Sequence, residues 1–197
     1  MPATRPPRRT IEGRFITLAP LEEQHLPALF RAIGTPEVFA GGYGGGPAAY
    51  RATEAEFIDF AHRYYGWRQH NVYGVWKDAT LVGTSTLGDF DEANEHAHIG
   101  WTAYSPDVWA SAVNPEAKLL LLGEAFDNGF NRVKLQADAL NDRSRAAILR
   151  LGAQFEGIQR RAVPRADGSW RDTAIYSILG DEWPAVRAGL EARLARY

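Results

Sequence analysis

The chain has 197 residues, 45% apolar and 23% charged, with a formal net charge of −2. That length suits one domain with a full core, and the near-neutral balance excludes a generic nucleic-acid binder, which needs a clearly basic face. There is no cysteine, which excludes disulfides, thiolate metal sites and cysteine nucleophiles together and fits a reducing, cytoplasmic setting.

In chain order, the opening residues MPATRPPRRT are basic and proline-rich with no apolar segment behind them. Residues 1–12 are therefore expected to be a mobile basic arm rather than a secretory signal, ahead of a single domain over 13–197. RFITLAP (14–20) reads as a short strand, and LEEQHLPALFRAI (21–33) as a helix from its apolar spacing. FAGGYGGGPAAY (39–50) is a glycine-rich loop studded with aromatic residues. It has no strand before it and the wrong glycine spacing for a dinucleotide fingerprint. Thr53 and Glu56 have capping-box spacing, so a helix begins there and buries Phe57, Phe60 and Ala61. Residues 72–90 read as two strands with a turn at Lys77-Asp78, and HAHIGWTAY (96–104) as a third. GTSTLG, from Gly83, lies inside this hairpin and lacks the Gly-x-Ser-x-Gly spacing of a hydrolase elbow.

A leucine-rich helix follows, then a strand over NRVKLQAD (131–138). A short helix capped by Asn141 and stopped at Gly152 comes next. FEGIQRRAV and WRDTAIYSIL form a hairpin across PRADGS. A closing helix from about Asp181 buries Trp183, Val186, Leu190 and Leu194. This order predicts a mixed α/β domain whose central sheet is covered by helices. The leucine helix is a crossover, so the strands on either side of it are expected to be parallel neighbours. The longest apolar run, Leu119 to Leu122, is too short to span a bilayer.

The stretch VWASAVNPEAKLLLLGEAF (108–126) carries the first chemical signal. Asn114 suits an N-cap and Pro115 the first helical position. Ala110, Ser111, Ala112 and Val113 before them are mostly small and would let a ligand approach the backbone. Free N–H groups at a helix start bind anions, phosphates above all.

This stretch stands between IGWTAYSPDVW and NRVKLQADALNDRSRAAILRLGAQFEG, with DGSWRDTAIYSIL further on. Asn-x-x-Ser opening a helix that ends Leu-Gly-Ala, then Phe-Glu-Gly, then Asp-Gly-x-Trp-x-Asp-x-x-x-Tyr-Ser resembles the GCN5-related N-acetyltransferases (GNAT). Within them it resembles the ribosomal-protein N-terminal acetyltransferase branch of RimJ/RimL type. The resemblance runs from about Phe15 to Trp183. It implies a GNAT fold: a mostly antiparallel, twisted sheet of about six to seven strands, flanked by helices, with a parallel pair at the coenzyme A site. It implies acetyl-CoA as cosubstrate, no metal, and direct acetyl transfer to an amine, a protein N-terminus before a small-molecule amine or antibiotic. Members are often dimers. The family's diphosphate loop corresponds here to Trp109, Ala110, Ser111, Ala112, Val113 and Asn114, with Lys118 adding positive charge. This chain has no glycine between Trp109 and Asn114, where the family usually has a glycine pattern.

Amide formation needs a neutral amine, donors for the oxyanion and a proton for the leaving thiolate. The resemblance assigns the oxyanion donors to the backbone around Trp101 and Thr102, the thiolate's proton to Ser144, and a pantetheine contact to Asn141. Asn141 also reads as a plain N-cap and Ser144 as a first-turn residue. His98 stands where relatives often carry a Glu, and an imidazole takes a proton near neutral pH. An α-amino group with a pKa near 8 needs only a weak base or a water relay. His96 reads as a surface residue of the same strand, and two histidines without a third ligand do not indicate a metal. Phe39, Tyr43 and Tyr65 are candidates for the acceptor groove. A non-catalytic acyl-CoA-binding protein would keep Asn114 and Asn141 but would not need Ser144 or His98.

Overall fold

The computed structural model describes residues 2–165 and 167–197. Among these residues eight strands form one sheet: β1 (Ile11–Glu12), β2 (Thr17–Pro20), β3 (Asn71–Lys77), β4 (Thr80–Asp91), β5 (His96–Tyr104), β6 (Arg132–Asp138), β7 (Gln154–Pro164) and β8 (Trp170–Leu179). Their order across the sheet is β1-β2-β3-β4-β5-β6-β8-β7. Every neighbouring pair is antiparallel except β5 and β6, which are parallel as the crossover requires. The α-helices are α1 (Leu26–Ile33), α2 (Pro36–Ala40), α3 (Glu54–Tyr64), α4 (Val113–Asp127), α5 (Asp142–Leu149) and α6 (Trp183–Leu194). No helix is long and apolar enough to cross a membrane among the described residues.

The sheet separates two cores. On one face Ala117, Leu121, Leu122 and Ala125 of α4 and Val186 and Leu190 of α6 pack on Ile99, Val133, Leu135 and Tyr176. On the other, α1, α2 and α3 bury Leu26, Leu29, Phe39, Phe57 and Phe60 against Val72, Leu81 and Ala103. Strands β3 and β4 are buried on both faces for most of their length. β3 therefore shows the run Val72, Tyr73, Gly74 and Val75 rather than an alternation, while β4 buries the polar Thr84, Ser85 and Thr86 among its apolar residues. At the far edge the opposite holds: β7 is exposed or half-buried along its whole length, and its register against β8 breaks between Phe155 and Gly157 and again between Gln159 and Val163.

Two expectations are corrected here. The sheet has more strands than six to seven, because Ile11–Glu12 adds to its edge by pairing with β2. The opening segment is also tied to the body rather than hanging free. Ala3 is buried, Arg5 donates from Nε to Asn71 Oδ1 at 3.1 Å and from Nη1 to the Arg68 carbonyl at 2.8 Å, and Arg9 pairs with Glu124 at 2.6 Å. The arginines that suggested a loose arm are the groups that fasten it.

Glu116, in the first turn of α4, is a buried carboxylate with no cation as partner among the described residues. It accepts the backbone N–H groups of Arg14, Phe15 and Ile16 at 2.7, 2.7 and 2.8 Å. Three amides and the positive end of the helix dipole hold the charge in place. Glu116→Ala leaves these donors without an acceptor, two of them half-buried and one buried. The expected loss is about 3 kcal/mol or more of unfolding free energy, read from urea denaturation.

Candidate active site

The parallel pairing of β5 with β6 runs through His96↔Arg132, Ala97↔Val133 and His98↔Lys134 and then stops. Beyond His98 the strands part, and the β6-facing edge of residues 99–104 has no partner strand. A bulge marks the place. Thr84 faces Ala103 and Thr86 faces Gly100, so β5 spends one residue more than β4, and Trp101 takes φ 49° to absorb it. A bulge bends its strand and leaves backbone groups unpaired. The gap therefore runs alongside Trp101 and Thr102.

The loop before α4 lies at the end of this gap. The helix starts two residues earlier than its sequence suggested. Ala112 is the N-cap residue, Asn114 is the second helical residue and Pro115 the third. Asn114 is thus not the N-cap, and the cap role falls to a Ser turn. Ser111 Oγ donates to the Val108 carbonyl at 2.6 Å and accepts the Val113 N–H at 3.3 Å. Among the described residues, the amides of Ala110, Ser111, Ala112 and Asn114 find no backbone acceptor. Together with the helix dipole they make a cradle for an anion. Ala110 adopts φ 57°, the left-handed turn that glycine would otherwise supply. Trp109 anchors the loop, with Nε1 donating to the Tyr104 carbonyl at 3.0 Å and the Arg143 guanidinium stacked 3.9 Å from the ring centroid.

Lys118 does not add charge to this cradle. Its ammonium is buried on the inner side of α4, with Nζ 2.8 Å from Thr102 Oγ1 and 3.2 Å from Ser85 Oγ. No carboxylate accompanies it, and burial pushes its pKa down to about 7. Helical spacing explains the misreading: Lys118 falls on the stripe that includes Leu121 and Leu122, facing the sheet rather than the helix end.

On the opposite face of the sheet His98 is enclosed, with Nδ1 2.9 Å from Asp89 Oδ2. The other Asp89 oxygen lies 3.2 Å from His70 Nε2, and Lys134 Nζ is 3.6 Å from Oδ2. Trp101 covers both imidazoles, at 4.5 Å from His70 and 5.1 Å from His98. Burial lowers the His98 pKa and favours the neutral ring, opposed chiefly by the Asp89 hydrogen bond. The His98 hydrogen bond leads the causes that hold Asp89 down at about 2. With Nδ1–H given to Asp89, Nε2 carries the lone pair, and it is buried without a partner. The ring folds over Gly100, where an added Cβ would come within 2.7 Å of it, which is why a glycine precedes the bulge. His70, Asp89 and Lys134 had no signature in the sequence, because only strand register brings them together. No group of three or more His, Cys, Asp or Glu is placed to hold a metal among the described residues.

Asn141 is the N-cap of α5, its Oδ1 accepting the Ser144 N–H at 2.9 Å. Its Nδ2 donates to the carbonyl of Gly41, so the same side chain ties the glycine loop to α5. Ser144 lies half-buried one turn into that helix. Arg165 fastens the loop from the β7–β8 hairpin, reaching the Gly45 carbonyl at 2.8 Å and the Asp138 carboxylate. Phe39, Tyr43 and Tyr65 are core side chains rather than walls of an open groove. Phe39 is fully enclosed and the Tyr43 and Tyr65 hydroxyls bond to each other. They carry the loop from beneath. Loop glycines leave little side chain above such a floor, so the aromatic residues turn inward.

The family model described as an acetyltransferase (GNAT) domain matches residues 16–154. The Bacillus subtilis (strain 168) protein named "Putative ribosomal N-acetyltransferase YdaF" is 32% identical over 112 residues, which are 56% of this chain and 60% of that protein. The crystal structure of a GCN5-related N-acetyltransferase from Brucella melitensis superposes with a TM-score of 0.88 at 31% identity, covering 98% of this chain and 88% of that one. Mycobacterium smegmatis RimJ in complex with CoA-disulfide shares the fold at a TM-score of 0.73 and 20% identity, covering 94% and 91% of the two chains.

Proposed function

The chain belongs to the GNAT acetyltransferase family, and from that premise we propose that it acetylates a primary amine, most directly a protein N-terminal amine as in the RimJ/RimL branch. The observation that carries the reading is the parting of β5 from β6 directly after His98, with a bulge on one side and a cradle of free amides at its end. When bound, acetyl-CoA supplies an activated thioester.

The chain's own residues then have distinct tasks. The amides of Ala110, Ser111, Ala112 and Asn114 hold the diphosphate. The amides at Trp101 and Thr102 receive the charge that develops on the acetyl oxygen. His98 Nε2 takes the proton of the attacking amine, and Asp89 fixes the ring in the tautomer that leaves this nitrogen bare. Ser144, one turn into α5, is the donor for the leaving sulfur, and Asn141 keeps that turn and the glycine loop together. The N-terminal amine as acceptor is supported by the motif order of the resemblance and by the curated Bacillus relative.

Calorimetry with acetyl-CoA and CoA tests the cradle. Ala110→Asp keeps a residue type that tolerates positive φ but sets a carboxylate beside the free amides. It is expected to weaken binding roughly tenfold, since like charge placed against an anion site costs about 1.4 kcal/mol or more. Equal affinity in the variant and the parent would put the diphosphate elsewhere.

A further inference from the structure

Two guanidinium groups stand beside one carboxylate at the end of β6. Asp138 is already committed: Oδ2 accepts from Arg165, and Oδ1 accepts the Leu140 N–H at 3.0 Å. The second guanidinium, Arg171 at the start of β8, hydrogen-bonds to nothing among the described residues. Its Nε is enclosed without a partner among the described residues, and the residue as a whole is half-buried. Burial destabilises its charge, Asp138 and Tyr64 support it, and Arg165 opposes it.

Arg171 also faces the correct side. Ala174, Tyr176 and Ile178 of β8 enter the core under α4. Alternation therefore sends Arg171 and Thr173 to the other face, the one that holds Asp138, Lys134 and His98. Thr173 is the cross-strand partner of Asp138 and brings no charge. On this face Arg132, Lys134 and Arg165 each pair with a carboxylate, Glu156, Asp89 and Asp138 in turn, and Arg171 has none of its own among the described residues. An arginine stays charged in any protein setting. A partly buried one that must share a carboxylate with another guanidinium is costly unless a ligand brings a further anion.

We infer that Arg171 is an anion subsite for the acceptor, and that the amine acetylated here carries a carboxylate gripped by the Arg171 fork. This rests on the acetyltransferase reading above and narrows its acceptor. The planar fork suits a carboxylate bidentately. The carboxylate belongs either to an acidic side chain near a peptide's N-terminus or to a free amino acid.

Thiol release from acetyl-CoA tests this with matched acceptors. One arm uses C-terminally amidated tripeptides that differ only by Asp or Asn at the first or second residue. The other compares free amino acids with their amides. The parent enzyme should favour the carboxylate member of the pair by roughly thirtyfold or more in kcat/KM, as for a desolvated charge pair. The arm that shows the preference identifies the source of the carboxylate. Arg171→Gln should erase the preference while leaving the neutral acceptor's rate and the acetyl-CoA affinity unchanged. No preference in either arm, or a preference that survives Arg171→Gln, overturns the subsite. The parent comparison needs no variant and so stands even where Arg171→Gln folds poorly. Failure of the parent to bind acetyl-CoA would instead overturn the underlying reading.

Discussion

His98→Gln is expected to lower kcat/KM for amine acetylation by about 100-fold, the lower end of what a positioned general base contributes. Glutamine keeps a donor for Asp89 and much of the ring's volume, so the cluster of Asp89, His70 and Trp101 stays packed. What it lacks is a basic nitrogen at the Nε2 position. The pH profile separates this from a packing effect. Burial holds the His98 pKa below its ordinary 6.5. The acid limb of kcat/KM should therefore fall below that value in the parent and disappear in His98→Gln. Asp89 beside the ring raises its pKa, and Lys134 and, from across the sheet, Lys118 lower it. Asp89→Asn removes the raising partner and should move the acid limb further down. Parent and His98→Gln profiles of the same shape and height would assign proton removal to a water relay.

Lys118→Met should stabilise the fold, and the gain should depend on pH. The unfolded chain binds the lysine proton with the ordinary pKa of 10.5, the folded chain only below about 7. Between those values the unfolded state holds more protons, so the parent's stability rises with pH across that window. Below about pH 7 the penalty is present in full, on the order of 5 kcal/mol if a pKa unit is 1.36 kcal/mol. Methionine fills similar volume without charge. Ser85 Oγ and Thr102 Oγ1 are 2.7 Å apart and keep their bond to each other. Urea unfolding at pH 6, 8 and 10 reads the result: the variant's advantage should shrink steadily towards the alkaline end. Parallel curves for the two proteins would mean that the ammonium is solvated or paired in the fold.

Much of the architecture was legible because its signals are local. The capping box at Thr53 and Glu56, the Asn141 cap and the crossover helix are each written within a few residues, and each is present in the structure. Local signals also misled. Asn-Pro looks like a cap and first position, yet Ser111 draws the turn two residues back and α4 starts at Val113. The short helix α2, with Pro36 first and Thr35 accepting the Val38 N–H, was written in a cap signal that the neighbouring glycines obscured. The site was legible where a single segment makes it, as in the loop from Trp109 to Asn114. It was illegible where register makes it. Asp89 meets His98 only because β4 lies antiparallel to β5, and His70 joins them from the residue before β3. Lys118 was read as adding charge to the diphosphate loop because it lies close to it in sequence, yet its ammonium is enclosed against Thr102 and Ser85.

The far edge of the sheet has a consequence for how the molecule keeps company. An exposed eleven-residue border strand would ordinarily invite any passing extended chain to dock and prolong the sheet. Here the two breaks in register, at Phe155/Gly157 and at Gln159/Val163, interrupt the row of amides and carbonyls that such a guest would need to match. The left-handed turn at Arg161 and the consecutive charges of Arg160 and Arg161 interrupt it again. The hairpin can thus reach out to fasten the glycine loop through Arg165 without becoming a seed for fibrous stacking.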